Sequence, residues 1–185
     1  AIALIKQHLE AKMKNLKTYQ WMETTTIFKD GEAKSQTQNQ CYYDVNNKLI
    51  RVPVGAAPDE KSQRGIRGKV VENKKEEMSE YVKKCVAKIH EYLPPKSDKL
   101  QAIYASGKTN IQVLEPNKKY RLDFNDYLQA GDALGIELDM QKSILNGINV
   151  KTYVEKPENN ISFNLNYAQL PDGTQYPAET IMDLK

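Results

Sequence analysis

Hydrophobic positions along this chain follow a helical spacing in two stretches and alternate with polar positions in most of the others. The first stretch covers residues 1–16, and the second covers about 69–93 and is closed by Pro94 and Pro95. In each stretch apolar residues recur every three or four positions, which places them on one stripe of a helix. The sequence therefore predicts an N-terminal helix and a long central helix.

Segments with strand-like composition or alternation lie on both sides of the central helix. Three come before it, at 19–28, 32–43 and 48–54, joined by Asp30-Gly31 and Asn46-Asn47. Asp-Gly and Asn-Gly are dipeptides that favour tight hairpin turns, and Asn146-Gly147 is interpreted in the same way. The clearest alternation lies at 161–167, where apolar residues occupy every second position. The other predicted strands are 100–104, 109–114, 120–124, 136–140, 148–154 and 176–184.

Short connections between so many strands predict an antiparallel sheet. A sheet of about eight or nine strands tends to curl, and the two amphipathic helices must bury their apolar stripes against it. The predicted fold is therefore α+β, with a strongly curved, incomplete half-barrel and both helices packed on its concave face. We expect one domain over 1–185, with a mobile loop at 55–68, where no periodicity appears.

Composition narrows the function classes. Charged residues make up 28% of the chain, yet the formal net charge is only +3, which is too small to predict nucleic-acid binding. No apolar run approaches the roughly 20 residues that cross a bilayer. The chain starts at Ala1 rather than Met, as it would after removal of a signal peptide or after trimming. Cys41 and Cys85 are either two buried small apolar residues or one disulfide.

No arrangement typical of catalysis or metal binding appears. His8 and His90 are far apart, and neither a phosphate-binding glycine loop nor a nucleophile elbow is present. The expected protein is not an enzyme and has no cofactor and no metal. Two groups of polar residues leave alternatives open. The first could hold calcium or form solvated turns. The second could contact anionic lipid headgroups or an acidic partner, or form a solvated loop and helix start. The first group is Asp123, Asn125, Asp126 and Asp132, and the second is Lys61, Arg64, Arg67, Lys69, Lys74 and Lys75.

The order of elements, together with two short motifs, resembles the LolA-like lipoprotein-carrier superfamily. The motifs are Tyr-x-Trp at 19–21 and Leu-Pro-Asp-Gly-Thr-x-Tyr-Pro at 170–177, within a terminal meander over 150–183. The resemblance implies a periplasmic or other envelope location, an incomplete barrel, and a hydrophobic cavity for acyl chains. The carriers use an arginine inside the barrel, and the strands at 19–28 and 32–43 contain none. A relative with another apolar ligand is therefore also open.

Two functions follow as hypotheses. The first is a non-catalytic, monomeric envelope or secreted carrier of a lipid, an acyl chain or another hydrophobic molecule, with peripheral contact to a membrane or an envelope protein. An apolar cavity between sheet and helix would favour such a ligand by roughly 0.8 kcal/mol per buried methylene. The second is a protein-interaction or structural module whose core is filled. The predicted ligand-binding residues are Trp21, Met78, Tyr81, Val82, Phe124, Phe163 and Leu165.

Overall fold

The computed structural model describes residues 14–55 and 66–184 of the 185-residue chain. Within them a short 3-10 helix, Lys14–Thr18, precedes the first strand. Two α-helices lie between the third and fourth strands, and six further strands complete the chain. The bounds are β1 Gln20–Lys29, β2 Glu32–Tyr43, β3 Leu49–Pro53, α1 Ile66–His90, α2 Ser97–Ala105, β4 Thr109–Glu115, β5 Lys119–Asn125, β6 Ala133–Asp139, β7 Ile144–Tyr153, β8 Asn160–Gln169 and β9 Gln175–Leu184.

The strands form two antiparallel sheets, in which every strand pairs only with its neighbours along the chain. One sheet has the order β1-β2-β3 and the other the order β4-β5-β6-β7-β8-β9. The α+β class and the antiparallel pairing are therefore confirmed. The prediction of one sheet of eight or nine strands is not confirmed, because the described strands divide three and six between two sheets. The two helices separate β3 from β4 in the chain, and these strands do not pair.

The turns of the first sheet follow the predicted chemistry. Asp30 and Gly31 have φ values of 55° and 80°, the left-handed conformations of a two-residue hairpin turn. The turn between β2 and β3 contains Asn47 with φ of 59°, and the carboxylate of Asp44 accepts hydrogen bonds from the backbone of Asn46 and Lys48. These residue types adopt such conformations at low cost, which is why both turns could be located from the sequence.

Two predicted elements are wrong. Residues 100–104 belong to helix α2 rather than to a strand, and Leu100 and Ile103, three positions apart, are its buried residues. Asn146-Gly147 lies inside β7 rather than in a turn. Gly147 pairs with Glu137 and Leu145 pairs with Leu138, so Asn146 is an extra residue that forms a β-bulge. A Cβ atom at Gly147 would lie 3.1 Å from the carbonyl oxygen of Leu165, which explains the glycine.

The remaining predictions on the helices are confirmed in part. The central helix is α1, which begins at Ile66, so the end of the predicted loop at 55–68 is helical. Residues 56–65 of that loop, and residues 1–13 of the predicted N-terminal helix, lie outside the described residues. The mobile loop and the single domain therefore stay predictions.

The chain divides into two compact units, whose described parts are residues 14–55 with 66–70 and residues 71–184. The second unit contains the apolar core, to which both helices and the six-stranded sheet contribute. Helix α1 provides Cys85 and Ile89, and α2 provides Leu100 and Ile103. Cys41 and Cys85 are both free thiols and both buried, which confirms the first of the two interpretations.

Candidate binding face of the six-stranded sheet

One face of the six-stranded sheet carries rows of apolar side chains that cross the strands. The register aligns Ile111, Leu122, Ile136, Ile148 and Leu165 in one such row. Exposure falls along it, from 51% at Ile111 on the edge strand β4 to 6% at Ile148 and 8% at Leu165. Leu122 and Ile136, between them, are half-buried. The apolar face is therefore covered at its centre and open towards β4.

The neighbouring row shows the same gradient. Val113 on β4 is 58% exposed, its partner Tyr120 is half-buried, and Leu138 is buried. Ile111 and Val113 are two positions apart on the edge strand β4, so their exposed side chains lie on the same face of the sheet. We call the set of exposed and half-buried residues the β4 strip. Its members are Ile111, Val113, Tyr120, Leu122 and Ile136.

The core beside the β4 strip is filled. The next cross-strand row contains Phe124, Leu134, Val150 and Phe163, all of which are buried. Phe124 is only 1% exposed. These side chains pack with residues of both helices, so they already satisfy one another and present little surface to a ligand.

The predicted ligand-binding residues are brought together in part. Tyr81, Phe124, Phe163 and Leu165 belong to one cluster, in which Tyr81 is half-buried and the other three are buried. On α1, Met78 is exposed and Val82 is half-buried. Trp21 belongs to the three-stranded sheet, where its ring centroid lies 5.9 Å from that of Tyr43. Their role in ligand binding stays a prediction.

Sequence reasoning missed the β4 strip as a site. In the sequence, Ile111 and Val113 are separated by one polar residue, and so are Tyr120, Leu122 and Phe124. This alternation predicts one apolar face on each of the two strands. The sequence does not state that β4 is an edge strand, nor where the helices end on the sheet. Those two facts decide which apolar residues remain exposed.

The opposite face of the sheet is polar and internally paired. The guanidinium of Arg121 donates to Asp123 at 2.8 Å, to Glu137 at 3.1 Å and to the side-chain oxygen of Asn149 at 3.2 Å. A Cβ atom at Gly135 would come within 2.8 Å of the Asp123 carboxylate, so the glycine leaves room for this network. This face is therefore mainly polar, with Ile181 on β9 as an exposed apolar exception, and the opposite face is the better candidate for hydrophobic binding.

A buried polar network fixes the chain just after α1. The Tyr92 hydroxyl donates to Asp132 at 2.5 Å and lies 2.7 Å from the hydroxyl of Thr152. The same carboxylate oxygen of Asp132 accepts from the backbone N–H groups of Leu128 and Gln129. Burial, followed by the hydrogen bond to Asp132, raises the pKa of Tyr92 far above its ordinary value. The network is therefore suited to hold structure rather than to transfer protons near neutral pH.

Three of the four oxygen-bearing residues considered for calcium have other side-chain or backbone partners. Asp123 pairs with Arg121, Asp132 joins the Tyr92 network, and Asp126 accepts from Gly131 N and from Lys108 Nζ, both at 2.9 Å. Asn125 lies at the end of β5 and is exposed. Among the described residues no group of three or more His, Cys, Asp or Glu side chains could hold a metal ion. The calcium alternative therefore has no support in this part of the chain.

Two clefts lined by described residues lie along α1. The larger has a volume of 580 Å³ and lies between α1 and the turn that follows β7, where Lys84 Nζ is 3.1 Å from a carboxylate oxygen of Glu155. The smaller, of 330 Å³, shares Lys84 and Glu155 and adds Lys88 and Glu91. Charged linings of this kind do not favour an acyl chain.

The chain matches no protein-family model, no curated protein and no solved structure. Among the described residues, no helix has the length and apolar character needed to cross a membrane.

Proposed function

We propose that this protein is a non-catalytic binding protein for a hydrophobic ligand such as an acyl chain, and that the ligand lies along the β4 strip. The observation that carries the proposal is the exposure gradient across the sheet, from 51% at Ile111 to 6% at Ile148 in one aligned row. A ligand that covers the exposed end would extend the apolar core over β4.

The energetic argument is the ordinary one for apolar burial. Removing apolar surface from water contributes about 25 cal/mol per Å², and each ligand methylene contributes about 0.8 kcal/mol. The strip lies against a filled core, so it presents a firm surface, and a flexible chain can adapt to it. Directly behind it, on the polar face, the neighbouring positions of β4 are Asn110 and Gln112.

The proposed ligand therefore lies at the exposed edge of the six-stranded sheet, and not among the buried core residues that the sequence predicted. An envelope or periplasmic location and an incomplete barrel, as in the LolA-like carriers, belong to the same proposal and rest on the order of elements and the two short motifs at 19–21 and 170–177. A monomeric state also remains part of it.

A second candidate function is a protein-interaction module. The filled core favours it, because Phe124, Phe163 and Leu165 are each at most 8% exposed and leave little room for a ligand among them. In that case the β4 strip would be covered by a protein partner rather than by a lipid.

The test is lipid analysis and native mass spectrometry of the purified chain, followed by titration with a fatty acid. We expect a bound or titratable adduct that is lost in the Ile111→Lys/Val113→Lys variant. Asn110→Lys/Gln112→Lys is the matched control, because it adds the same two charges to the polar side of the same strand and should leave binding unchanged. Lysine is well tolerated on edge strands, so both variants should fold, which circular dichroism checks. Absence of any adduct, or equal binding by both variants, would refute the proposal.

A further inference from the structure

The start of β8 carries an asparagine that is followed, two positions later, by a serine. Asn160, Ile161 and Ser162 form the sequence Asn-x-Ser, with a residue other than proline in the middle. None of the other asparagines of the chain has serine or threonine at that spacing. Asn-x-Ser/Thr is the acceptor sequence of N-linked glycosylation where the asparagine lies on the surface of an exported protein. The structural setting of Asn160 therefore decides whether it can be an acceptor.

Asn160 lies where the β7–β8 turn meets β8. It is the first residue of β8 and is aligned with Tyr153, the last residue of β7. Backbone hydrogen bonds close the turn, from Val154 N to Asn159 O at 3.1 Å and from Asn159 N to Lys156 O at 2.9 Å. Asn160 is exposed, and its side chain has no hydrogen-bond partner among the described residues. The side-chain amide is therefore accessible, and no interaction has to be broken to modify it.

Strand alternation places Asn160 and Ser162 on the polar face of the six-stranded sheet. Ile161, between them, is 1% exposed, and its side chain belongs to the apolar core on the opposite face. Ser162 is half-buried and is aligned with Lys151 and Asp183. The two side chains that a glycosylating enzyme recognises therefore lie on the same side of β8, and the apolar core contains neither of them.

The order of synthesis gives an enzyme access to Ser162 before the sheet is complete. In the sheet β8 lies between β7 and β9, and β9 is the last strand of the described chain. An exported chain crosses the membrane from its N-terminal end, so Asn160 and Ser162 emerge before β9 can pair with them. After folding, Asn160 stays exposed, so an attached glycan extends into water and displaces no core residue.

A glycan at Asn160 would lie apart from the β4 strip. Three strands separate β8 from β4 in the sheet. With about 4.8 Å between neighbouring strands, this separation is roughly 19 Å, and the two positions lie on opposite faces of the sheet. Ligand binding at the β4 strip and modification of Asn160 are therefore compatible.

We propose that Asn160 is an acceptor site for an N-linked glycan when the chain is exported. The inference goes beyond the proposed ligand binding and uses only the export that the proposed envelope location implies. The co-reactant is an oligosaccharide joined through a diphosphate to a lipid. The side-chain nitrogen of Asn160 bonds to the anomeric carbon of this sugar, and the bond from that carbon to the diphosphate oxygen breaks. The lipid diphosphate leaves with the electron pair, and a base of the transferase takes one proton from the nitrogen.

The experiment exports the full chain behind a signal peptide from insect cells and measures its intact mass before and after treatment with a peptide N-glycosidase. Both the secreted chain and the chain retained in the cells are measured. We expect the treatment to lower the mass by that of one oligosaccharide. Asn160→Gln and Ser162→Ala should each abolish this shift, whereas Ser162→Thr should keep it. Asn159→Gln is the matched control, because it changes the neighbouring amide of the same turn and should also keep the shift.

An unmodified parent chain in both fractions overturns the proposal. It is also overturned if the shift persists in Asn160→Gln and Ser162→Ala, or if Asn159→Gln loses the shift as they do. The substituted side chains are polar and lie outside the core, so the variants should fold, which circular dichroism checks. Titration of the glycosylated chain with a fatty acid tests the proposed function separately, and a failure to bind would leave the glycan site intact.

Discussion

The three-stranded and six-stranded sheets are built with the same antiparallel pairing but differ in how they are stabilised. Among the described residues of 14–55, only Cys41 is buried, whereas the six-stranded unit buries apolar residues from four of its strands and both helices. The three-stranded sheet instead carries cross-strand pairs at its surface, such as Gln38 with Thr24 and Gln40 with Gln20. Alternation of apolar and polar residues is therefore enough to form strands, whereas a buried core also requires helices that cover one face of the sheet.

The strongest test of this difference is a matched pair of aromatic truncations. Phe124→Ala in the six-stranded unit should lower the free energy of unfolding by about 3–5 kcal/mol, because a buried ring leaves a cavity. Phe28→Ala should change it by less than about 0.5 kcal/mol, because Phe28 is 63% exposed. Urea titrations followed by circular dichroism measure both. Similar effects of the two substitutions would break the comparison.

The buried network should have the next largest effect. Tyr92→Phe removes the hydroxyl shared by Asp132 and Thr152 and should cost about 1–3 kcal/mol. Tyr104→Phe on α2, where the side chain is exposed, is the control and should be neutral. The measurement is the free energy of unfolding from urea titration at neutral pH.

The stability of the Tyr92→Phe variant should also depend less on alkaline pH than that of the parent chain. Burial and Asp132 raise the pKa of Tyr92 in the folded state, so its contribution to stability is complete below the ordinary tyrosine pKa of about 10. That contribution is lost as the pH rises beyond this value, because the unfolded chain ionises first. Tyr92→Phe should therefore lose less stability between about pH 10 and 12 than the parent chain does. An identical alkaline loss in both would contradict the assignment.

In the three-stranded sheet, the aromatic pair of Trp21 and Tyr43 should contribute less to stability than the Tyr92 network does. Tyr43→Leu removes the ring near Trp21, a contact worth about 0.5–1.5 kcal/mol. Trp21 is the only tryptophan of the chain, so its fluorescence follows this sheet alone during unfolding. Tyr42→Leu, on the opposite face of the same strand, is the control and should leave the emission of Trp21 unchanged. A change of equal size in the Trp21 emission of both variants would contradict a specific contact between Trp21 and Tyr43.

The smallest expected effect is that of the ion pair across the same sheet. Arg51 donates to both carboxylate oxygens of Glu23, at 3.0 and 3.3 Å, and both side chains are partly open to solvent. A double-mutant cycle with Glu23→Gln and Arg51→Met should give a coupling of about 0.2–1 kcal/mol. The coupling should fall towards zero in about 1 M salt. A coupling that is insensitive to salt would indicate that the pair is more deeply desolvated than its exposure implies.

Most strands could be predicted from the sequence because their signals are local. Alternation located β8, and Asp30-Gly31 located a turn at which the glycine has positive φ. The errors arose where a local signal is ambiguous. Five residues around Leu100 are too few to separate a helical from a strand period, and Asn146-Gly147 suits a bulge as well as a turn.

The candidate site was harder to predict, because it depends on non-local facts. The apolar character of Ile111 and Val113 is visible in the sequence, but their exposure depends on the position of β4 at the sheet edge and on the extent of the helices. Phe163 and Leu165 likewise alternate with polar neighbours in the sequence, yet they lie on β8, between two other strands, and are buried. Strand order therefore decides which apolar residues are free to bind.

The neighbour-only order of the strands also bears on how quickly this protein can acquire its structure. Every pair in both sheets joins strands that follow each other directly along the chain. Each pairing therefore closes a short loop, at a small entropic cost, before the next strand adds to it. Folding rates rise as the sequence separation of contacts falls, so this chain should fold faster than β proteins whose sheets join distant strands. Hairpins can form one after another, and the helices then need only to settle on a sheet that already exists.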